Sequence, residues 1–508
     1  MRFAIGFVLA FAGVLPTLFA DDSVASKQGV PIGINLSGVV YYASQHPFVD
    51  EFRQSQPWVF QKDGAPYGKG IPQPLRPDDY PASLADGNYV ESILALDPDF
   101  PPGDYVLLYD GDGDIDTRGD AKVTARELRR LSVTVRPKDH QLSVRLTRTN
   151  PADPVHNIRF IDAAAEQTYV QHAFREPFLQ AWRGFPVLRF MDWQNTNNSK
   201  QRQWIDRATP DFQTQGSDRG VAVEYLVDLA NTLKADPWFC IPHQADDDYV
   251  RQFASLVRRR LSPDRKVYVE YSNECWNGGF GQAHYCADRG RALKLSDNAY
   301  LAQLRYYAQR SVEVFAIFEQ VFGGTDRLVR VLSSQHVNPW ASEQILTWEG
   351  AARHADALAV APYFGHDFGQ PEKVEATLAL GVEGLLDACG PVIEKNKAIT
   401  AKQAELARRF GLPLVSYEGG PHLVGIRGAE NNEKLTALFT AVNRHPRMKD
   451  LYLQDLANWR DAGGGLFVAF ASTARPSKWG NWGVLEHDGQ DPATAPKYQA
   501  LKQFAGRR

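Results

Sequence analysis

Two glutamates stand at the ends of apolar runs far apart in the chain. Glu274 lies in Tyr271-Ser272-Asn273-Glu274-Cys275-Trp276-Asn277, just after the run at 267–271. Glu418 opens Glu418-Gly419-Gly420, just after the run at 412–417. Brought into one pocket, two such carboxyls can divide the work of acid and nucleophile or base. One protonates a leaving oxygen while the other attacks carbon or activates water, which is what breaking a glycosidic bond requires. Each has a plainer reading alone. Glu274 could satisfy the free amides of a helix start, and Glu418 could be a loop acid beside flexible glycines. The strand-like runs before them, and the need of each for a partner, favour chemistry.

Competing chemistries lack their patterns. Gly-x-Ser-x-Gly, which a serine hydrolase on an α/β sheet would carry, is absent. Asn35-Leu36-Ser37 stands where a metallohydrolase barrel would show His-x-His, and there is no Cys-x-x-Cys for structural zinc. The segment Asp110-Gly111-Asp112-Gly113-Asp114-Ile115-Asp116 looks like a calcium loop. It has Ile115 where an EF-hand needs Gly and Ala121 where it needs Glu, so a hairpin turn is expected instead. Asp246-Asp247-Asp248 reads as the capped start of a helix. No catalytic metal and no organic cofactor is expected, and a structural calcium at 110–116 stays an alternative to the turn.

The elements that must position the glutamates follow from the apolar pattern. Strand-like runs occur at 31–36, 186–191, 238–242, 267–271, 328–332, 357–361, 412–417 and 465–470. Helical periodicity fills the intervals, as at 222–234, 248–261, 300–322 and 395–410. Eight alternating units predict an α/β fold, the (β/α)8 TIM barrel. A doubly wound sheet is the alternative, weakened by the lack of a Gly-rich phosphate loop. Alternating segments at 105–109, 131–135 and 141–146, separated by Gly, Pro and Asp, predict an all-β sandwich inserted between the first two barrel strands. The expected organisation is a signal peptide at 1–20, an N-terminal segment with the first barrel strand at 21–58, the sandwich at 59–162 and the rest of the barrel at 163–508.

Active sites of such barrels lie at the C-terminal ends of the strands. Counting puts Glu274 after the fourth strand and Glu418 after the seventh. With Asn273-Glu274, Tyr363 in Pro362-Tyr363-Phe364, and Glu418, the chain resembles glycoside hydrolase clan A. The resemblance covers 33–36 and the chain from about 185 onward, and it fixes no family within the clan. It implies a retaining enzyme with Glu274 as acid/base and Glu418 as nucleophile. Asn273 would bond the sugar 2-hydroxyl, Tyr363 and Arg189 would hold Glu418 ionised, and His243 would sit near the end of strand three. Clan members often place Trp at the end of strand eight, where this chain has Ala471-Ser472-Thr473. Trp479 or Trp482, further on, would then supply the sugar platform, with Trp276 lining the cleft beside Glu274. Trp193, His336, Asn338 and His422 are weaker candidates for the same cleft.

Composition bounds the partners. The chain has 508 residues, 44% hydrophobic and 23% charged, with net charge −4. That suits a soluble protein with a sizeable core and offers no basic face for nucleic acid. Eleven Trp and 20 Tyr leave room for aromatic platforms against a carbohydrate. Arg2, the apolar run at 3–15 and the polar Asp21-Asp22-Ser23 have the layout of a secretory signal. No other stretch is expected to be long and apolar enough to span a membrane, so the mature chain is expected to be secreted or periplasmic, with no membrane insertion. Four cysteines, Cys240, Cys275, Cys286 and Cys389, are too few for a disulfide scaffold and are expected to be buried thiols, with one bridge allowed. The sum is a secreted glycoside hydrolase, expected to act within β-linked chains. A non-catalytic carbohydrate binder is the rival, but a binder has no need of two glutamates at those strand ends.

Overall fold

The computed structural model describes residues 29–139 and 141–506. The signal-like segment at 1–20 lies outside them. The first strand, β1 (Ile32–Asn35), is followed by eight antiparallel strands. These are β2 (Val59–Lys62), β3 (Asn88–Ala95), β4 (Gly103–Asp110), β5 (Gly113–Gly119), β6 (Ala121–Glu127), β7 (Arg130–Val135), β8 (Leu142–Thr149) and β9 (His156–Asp162). Then come β10 (Val187–Arg189), β11 (Asp236–Ile241), β12 (Val267–Tyr271), β13 (Leu328–Ser333), β14 (Ala357–Val360), β15 (Leu414–Ser416) and β16 (Gly464–Ala469). Strands β1 and β10 to β16 form a closed parallel barrel in chain order, with β1 pairing both β10 and β16.

The barrel strands read as unbroken apolar runs because both of their faces are covered. Val187, Trp238, Val331, Ala359, Val415 and Val468 pack in one buried cluster. Their alternates Leu188, Phe239, Val269, Leu332, Leu358 and Phe467 join the cluster that includes the surrounding helices. Those helices are α1 (Glu176–Trp182), α2 (Val223–Leu233), α3 (Asp247–Arg260), α4 (Gly281–Ala292), α5 (Ala299–Phe322), α6 (Pro339–Thr347), α7 (Val374–Arg409), α8 (Glu433–Arg444), α9 (Arg447–Asp461) and α10 (Pro496–Ala505). The acidic run at 246–248 starts α3. Asp246 accepts from the Tyr249 amide, and three arginines close the last turn, complementing the helix dipole at both ends.

Helix α7 departs from expectation. The pattern predicts a helix over 395–410, yet α7 begins at Val374, kinks at Gly381 (φ 62°) and contains Pro391. Residues 371–409 are also long and apolar enough, by length and composition, to cross a membrane, which no segment beyond the leader was expected to be. In the fold Leu385, Leu386, Cys389 and Ile393 pack against Phe439 and Val442 of α8 and Met448 and Leu451 of α9.

Strands β2 to β9 form two four-stranded sheets, ordered β2-β3-β8-β5 and β6-β7-β4-β9. Val90, Ile115 and Val144 of the first share an apolar cluster with Tyr105, Leu131 and Phe160 of the second. The expected hairpin at 110–116 is not one, because β4 and β5 belong to different sheets and the turn carries the chain from one to the other. Its carboxylates are met by arginines: Asp110 by Arg159, Asp112 and Asp114 by Arg148, Asp116 by Arg118 and Arg126. All four cysteines are buried and unpaired.

A buried ion cluster ties the sheets to the barrel. His46 bonds Glu51 at 3.1 Å through Nδ1 and Asp97, just past β3, at 2.9 Å through Nε2. Arg475, from the loop after β16, donates to Asp97 at 2.6 Å and also pairs with Asp99. Burial alone would lower the imidazole pKa. The charge of Glu51, and the hydrogen bonds that the ring donates to Asp97 and Glu51, outweigh it and raise the pKa to about 9. A folded pKa above the unfolded 6.5 means that the stabilisation is complete below pH 6.5 and lost as pH rises through 9. The wild-type chain is therefore expected to lose on the order of 3 kcal/mol between those limits beyond what His46→Gln loses. Denaturant titrations by circular dichroism at pH 6, 8 and 10 measure it, and identical pH dependence in both chains would refute it.

Candidate active site

Because all eight barrel strands run the same way, the loops after their C-terminal ends share one face. Glu274 leaves β12 and Glu418 leaves β15 on that face. Both are buried, at 8% and 5% exposure. The turn that carries Glu274 is strained, with Ser272 at φ 60° and Glu274 at φ 43° in the left-handed region. That conformation costs a side-chain-bearing residue roughly 1–2 kcal/mol and persists where the surroundings impose it. Beyond Glu418 the chain must pass close to β16. A Cβ on Gly419 would stand 2.5 Å from the Phe467 ring, so glycine is required there.

One guanidinium organises the pair. Arg189, at the end of β10, is fully buried. Its Nη1 donates to Glu418 Oε1 at 2.8 Å and to Asn35 Oδ1 at 3.0 Å. Its Nη2 donates to Asn273 Oδ1 at 2.8 Å and to Glu270 Oε2 at 2.9 Å, which also accepts from Nε. Strands one, two, four and seven thus meet on one cation. Glu270 is further held by the Trp238 indole at 2.9 Å. Asn273 donates to Asn197 at 3.0 Å, and Gln282 bonds both the Asn273 carbonyl and Asn197, so the residue before Glu274 is fixed from both sides.

The two carboxyls differ in their neighbours. Glu418 accepts from Arg189 and, at 2.9 Å, from the Tyr363 hydroxyl. Glu274 accepts only from neutral groups, the Tyr417 hydroxyl at 2.9 Å and the Asn277 amide at 2.8 Å. Burial and then the charge of Glu418 raise Glu274 to about 7. Burial also raises Glu418 above its usual value, and Arg189 and Tyr363 offset only part of that rise. An uncharged Glu274 beside an ionised Glu418 is the arrangement that these neighbours favour. Asp192, in the loop after β10, is a further carboxyl here, raised to about 7 by burial and by Glu418.

The structure joins Arg189, Glu418, Asn273 and Tyr363 in one hydrogen-bonded group, with Glu274 beside it and bonded to Tyr417 and Asn277. Trp482 joins through Tyr363, ring to ring at 5.8 Å, and also packs on His422 and Phe470. Trp276 is half-buried beside Glu274, packed against the barrel cluster. His243 lies two residues past β11, with its carbonyl accepting from the Tyr271 hydroxyl and its ring against Tyr285. Burial lowers it to about 4, which keeps it neutral. Trp479 stands apart on the rim, 66% exposed, with the Lys478 ammonium over its ring. Trp193 is not in the cleft: it is fully buried among Phe48, Phe174, Phe178 and Phe190. His336 is tied to Thr400 and Asn338 caps α6, which leaves both in structural positions. Among the described residues no group of three or more His, Cys, Asp or Glu could hold a metal ion.

Sequence reasoning misses Glu270, Tyr417 and Asn277. Glu270 was findable as a charge inside an apolar barrel strand. Tyr417 was not, because it reads as the last apolar residue of its run.

No family model matches the chain, and no curated protein matches it. Solved structures similar to it include a 4-O-α-L-rhamnosyl-β-D-glucuronidase from Fusarium oxysporum 12S, at 11% identity over 64% of this chain, with TM-score 0.38. The chain covers only 62% of that protein's length. A broad specificity endoglucanase of family GH5-4 from Clostridium acetobutylicum shares 11% identity over 64% of this chain and 87% of its own, with TM-score 0.37. A modular family 26 endo-β-1,4-mannanase from Cellulomonas fimi shares 12% over 63% and 62%, with TM-score 0.32. Likeness at this level leaves the chemistry to the side chains.

Replacing Arg189 tests the centre of the group. Arg189→Met leaves Glu270 and Glu418 buried without their cation, and a loss of about 3–5 kcal/mol of stability is expected. Arg189→Lys is expected to recover only part, because a point charge cannot reproduce the forked contacts. Denaturant midpoints of the three chains give the comparison.

Proposed function

We infer that this chain is a retaining glycoside hydrolase that cleaves β-glycosidic bonds of an oligosaccharide or polysaccharide by double displacement. The observation that carries this reading is the unequal pair of strand-end carboxyls: Glu418 bonded to a cation, Glu274 bonded only to neutral donors. The Glu418 carboxylate attacks the anomeric carbon as the glycosidic C–O bond breaks. Glu274 gives its proton to the departing oxygen, and a covalent glycosyl-enzyme forms. Glu274, now ionised, takes a proton from water, whose oxygen displaces Glu418 from the same carbon. Two inversions give net retention.

The remaining residues take supporting parts. Arg189 and Tyr363 hold Glu418 ionised and aimed. Asn273 keeps an amide hydrogen for the sugar 2-hydroxyl. Trp482 offers its ring beside the nucleophile, Trp276 lines the cleft beside the acid, and His243 is a neutral hydrogen-bonding group deeper in it. Trp479 serves as an outer platform. No step needs a metal or an organic cofactor. The layout of residues 1–20 supports export, so the substrate is an extracellular or periplasmic glycan, and the two sheets between β1 and β10 are read as a sandwich accessory to the barrel.

Glu274→Gln is expected to cut turnover by about 10²–10⁴-fold on a substrate with a poor leaving group, as loss of a general acid does. Glu418→Gln is expected to lose at least as much on every substrate. A panel of β-linked polysaccharides, with product anomers followed by NMR, should show retention; an inverted product would remove Glu418 as nucleophile.

The pH profile follows from the same geometry. With Glu274 near 7, activity should fall as pH rises through about 7, where the acid loses its proton. The Tyr417 hydrogen bond stabilises the ionised form, so Tyr417→Phe should move this basic limb to higher pH. A limb that stays put, or moves down, would detach it from Glu274.

A further inference from the structure

We propose that the exposed Trp340, with the half-buried Tyr300 stacked beside it, is a distal sugar-binding subsite on the leaving-group side of the cleft, which makes the substrate a chain extending several sugars past the scissile bond. This rests on the hydrolase reading and names what lies beyond its catalytic pair.

The position follows from topology. Trp340 lies in the first turn of α6, directly after the loop that leaves β13. Tyr300 lies in the first turn of α5, which runs antiparallel to the strands. Both therefore stand on the face that carries Glu274, in the barrel sector next to it. One turn along α5, the Gln303 amide donates to the Cys275 carbonyl at 2.6 Å, so the pair is anchored to the residue that follows the acid/base. The leaving oxygen must touch Glu274, so the sugars it carries run outward over this sector.

The chemistry fits a sugar ring. Trp340 is 47% exposed and Val337, one turn before it, 62% exposed. The Trp340 and Tyr300 rings lie nearly parallel, with centroids 6.2 Å apart and planes 25° off. Both are held by helix caps: Asn338 accepts from the Ala341 amide and Asn298 from the Leu301 amide. An exposed Trp ring on a rigid mount offers a flat apolar face for contact. Sugars present a flat C–H face to such rings, and Tyr300 adds a hydroxyl at the edge.

The test separates this subsite from the catalytic reading. Glu274→Gln and Glu274→Gln/Trp340→Ala chains are titrated with cellohexaose, mannohexaose and xylohexaose, and with the matching trisaccharides, by calorimetry. For the hexaose that binds, Trp340→Ala should weaken affinity about ten-fold, the worth of a lost ring contact, with Trp340→Phe retaining most of it. The trisaccharide should lose markedly less. In the active chain, Trp340→Ala should lower the ratio of kcat/KM on polymer to kcat/KM on an aryl glycoside by about the same factor. Equal losses on long and short ligands, unchanged hexaose affinity, or no hexaose binding at all would overturn the subsite. Hexaose binding through Trp340 in a chain that hydrolyses nothing would instead sink the hydrolase and leave the subsite standing.

Discussion

The buried guanidinium of Arg189 is the constraint around which the rest of the molecule is arranged. A cation out of water is tolerable only when its hydrogen bonds are satisfied by well-placed acceptors. Here they come from three strands besides its own, so the barrel must close in one register for the charge to be stable. Strand β1 brings Asn35, β12 brings Glu270 and aims Asn273, and the end of β15 brings Glu418. The order that satisfies Arg189 also fixes Glu418 on it and aims Asn273, the residue before Glu274.

Charge bookkeeping around that cation explains why the carboxyls differ. Two acids face one base at bonding distance, Glu270 from below and Glu418 from the cleft. Burial first, and then the negative charge of Glu418, raise the pKa of the next carboxyl in the same low-dielectric space. Glu274 is that carboxyl, and its neutral donors Tyr417 and Asn277 fix its orientation without supplying a countercharge.

Much of this was legible in the sequence, for reasons that can be named. Barrel strands covered on both faces give apolar runs, and residues just past such runs lie at the end of the barrel that holds the candidate site. Glu274, Asn273, Tyr363 and Glu418 all lie there. Arg189 and Glu270 lie within the runs and announce themselves only as charges where apolar residues belong. The two sheets were half legible: β4, β7 and β8 alternate, whereas β6 exposes Lys122, Arg126 and Glu127 and carries no clear pattern. In α7, Gly381 and Gly390-Pro391 interrupt the helical period, so only the stretch beyond them could be read. Trp193 shows the reverse failure, since a strand-end aromatic can turn into the packing around the barrel as readily as into the cleft.

The four-residue strand β1 has a consequence for how the chain comes to be folded at all. Asn35 reaches Arg189, 154 positions on, and the Ala469 carbonyl, 434 positions on. During synthesis this strand emerges first and finds its second neighbour almost last. Contacts of such separation are slow to form, because the intervening chain must be ordered before they are rewarded. The sheets that follow β1 have their own apolar cluster and local pairings, so they can form while the ribosome is still making the barrel. On this view they park the first strand beside a finished body and shield its open edges until the last strand arrives to complete the ring.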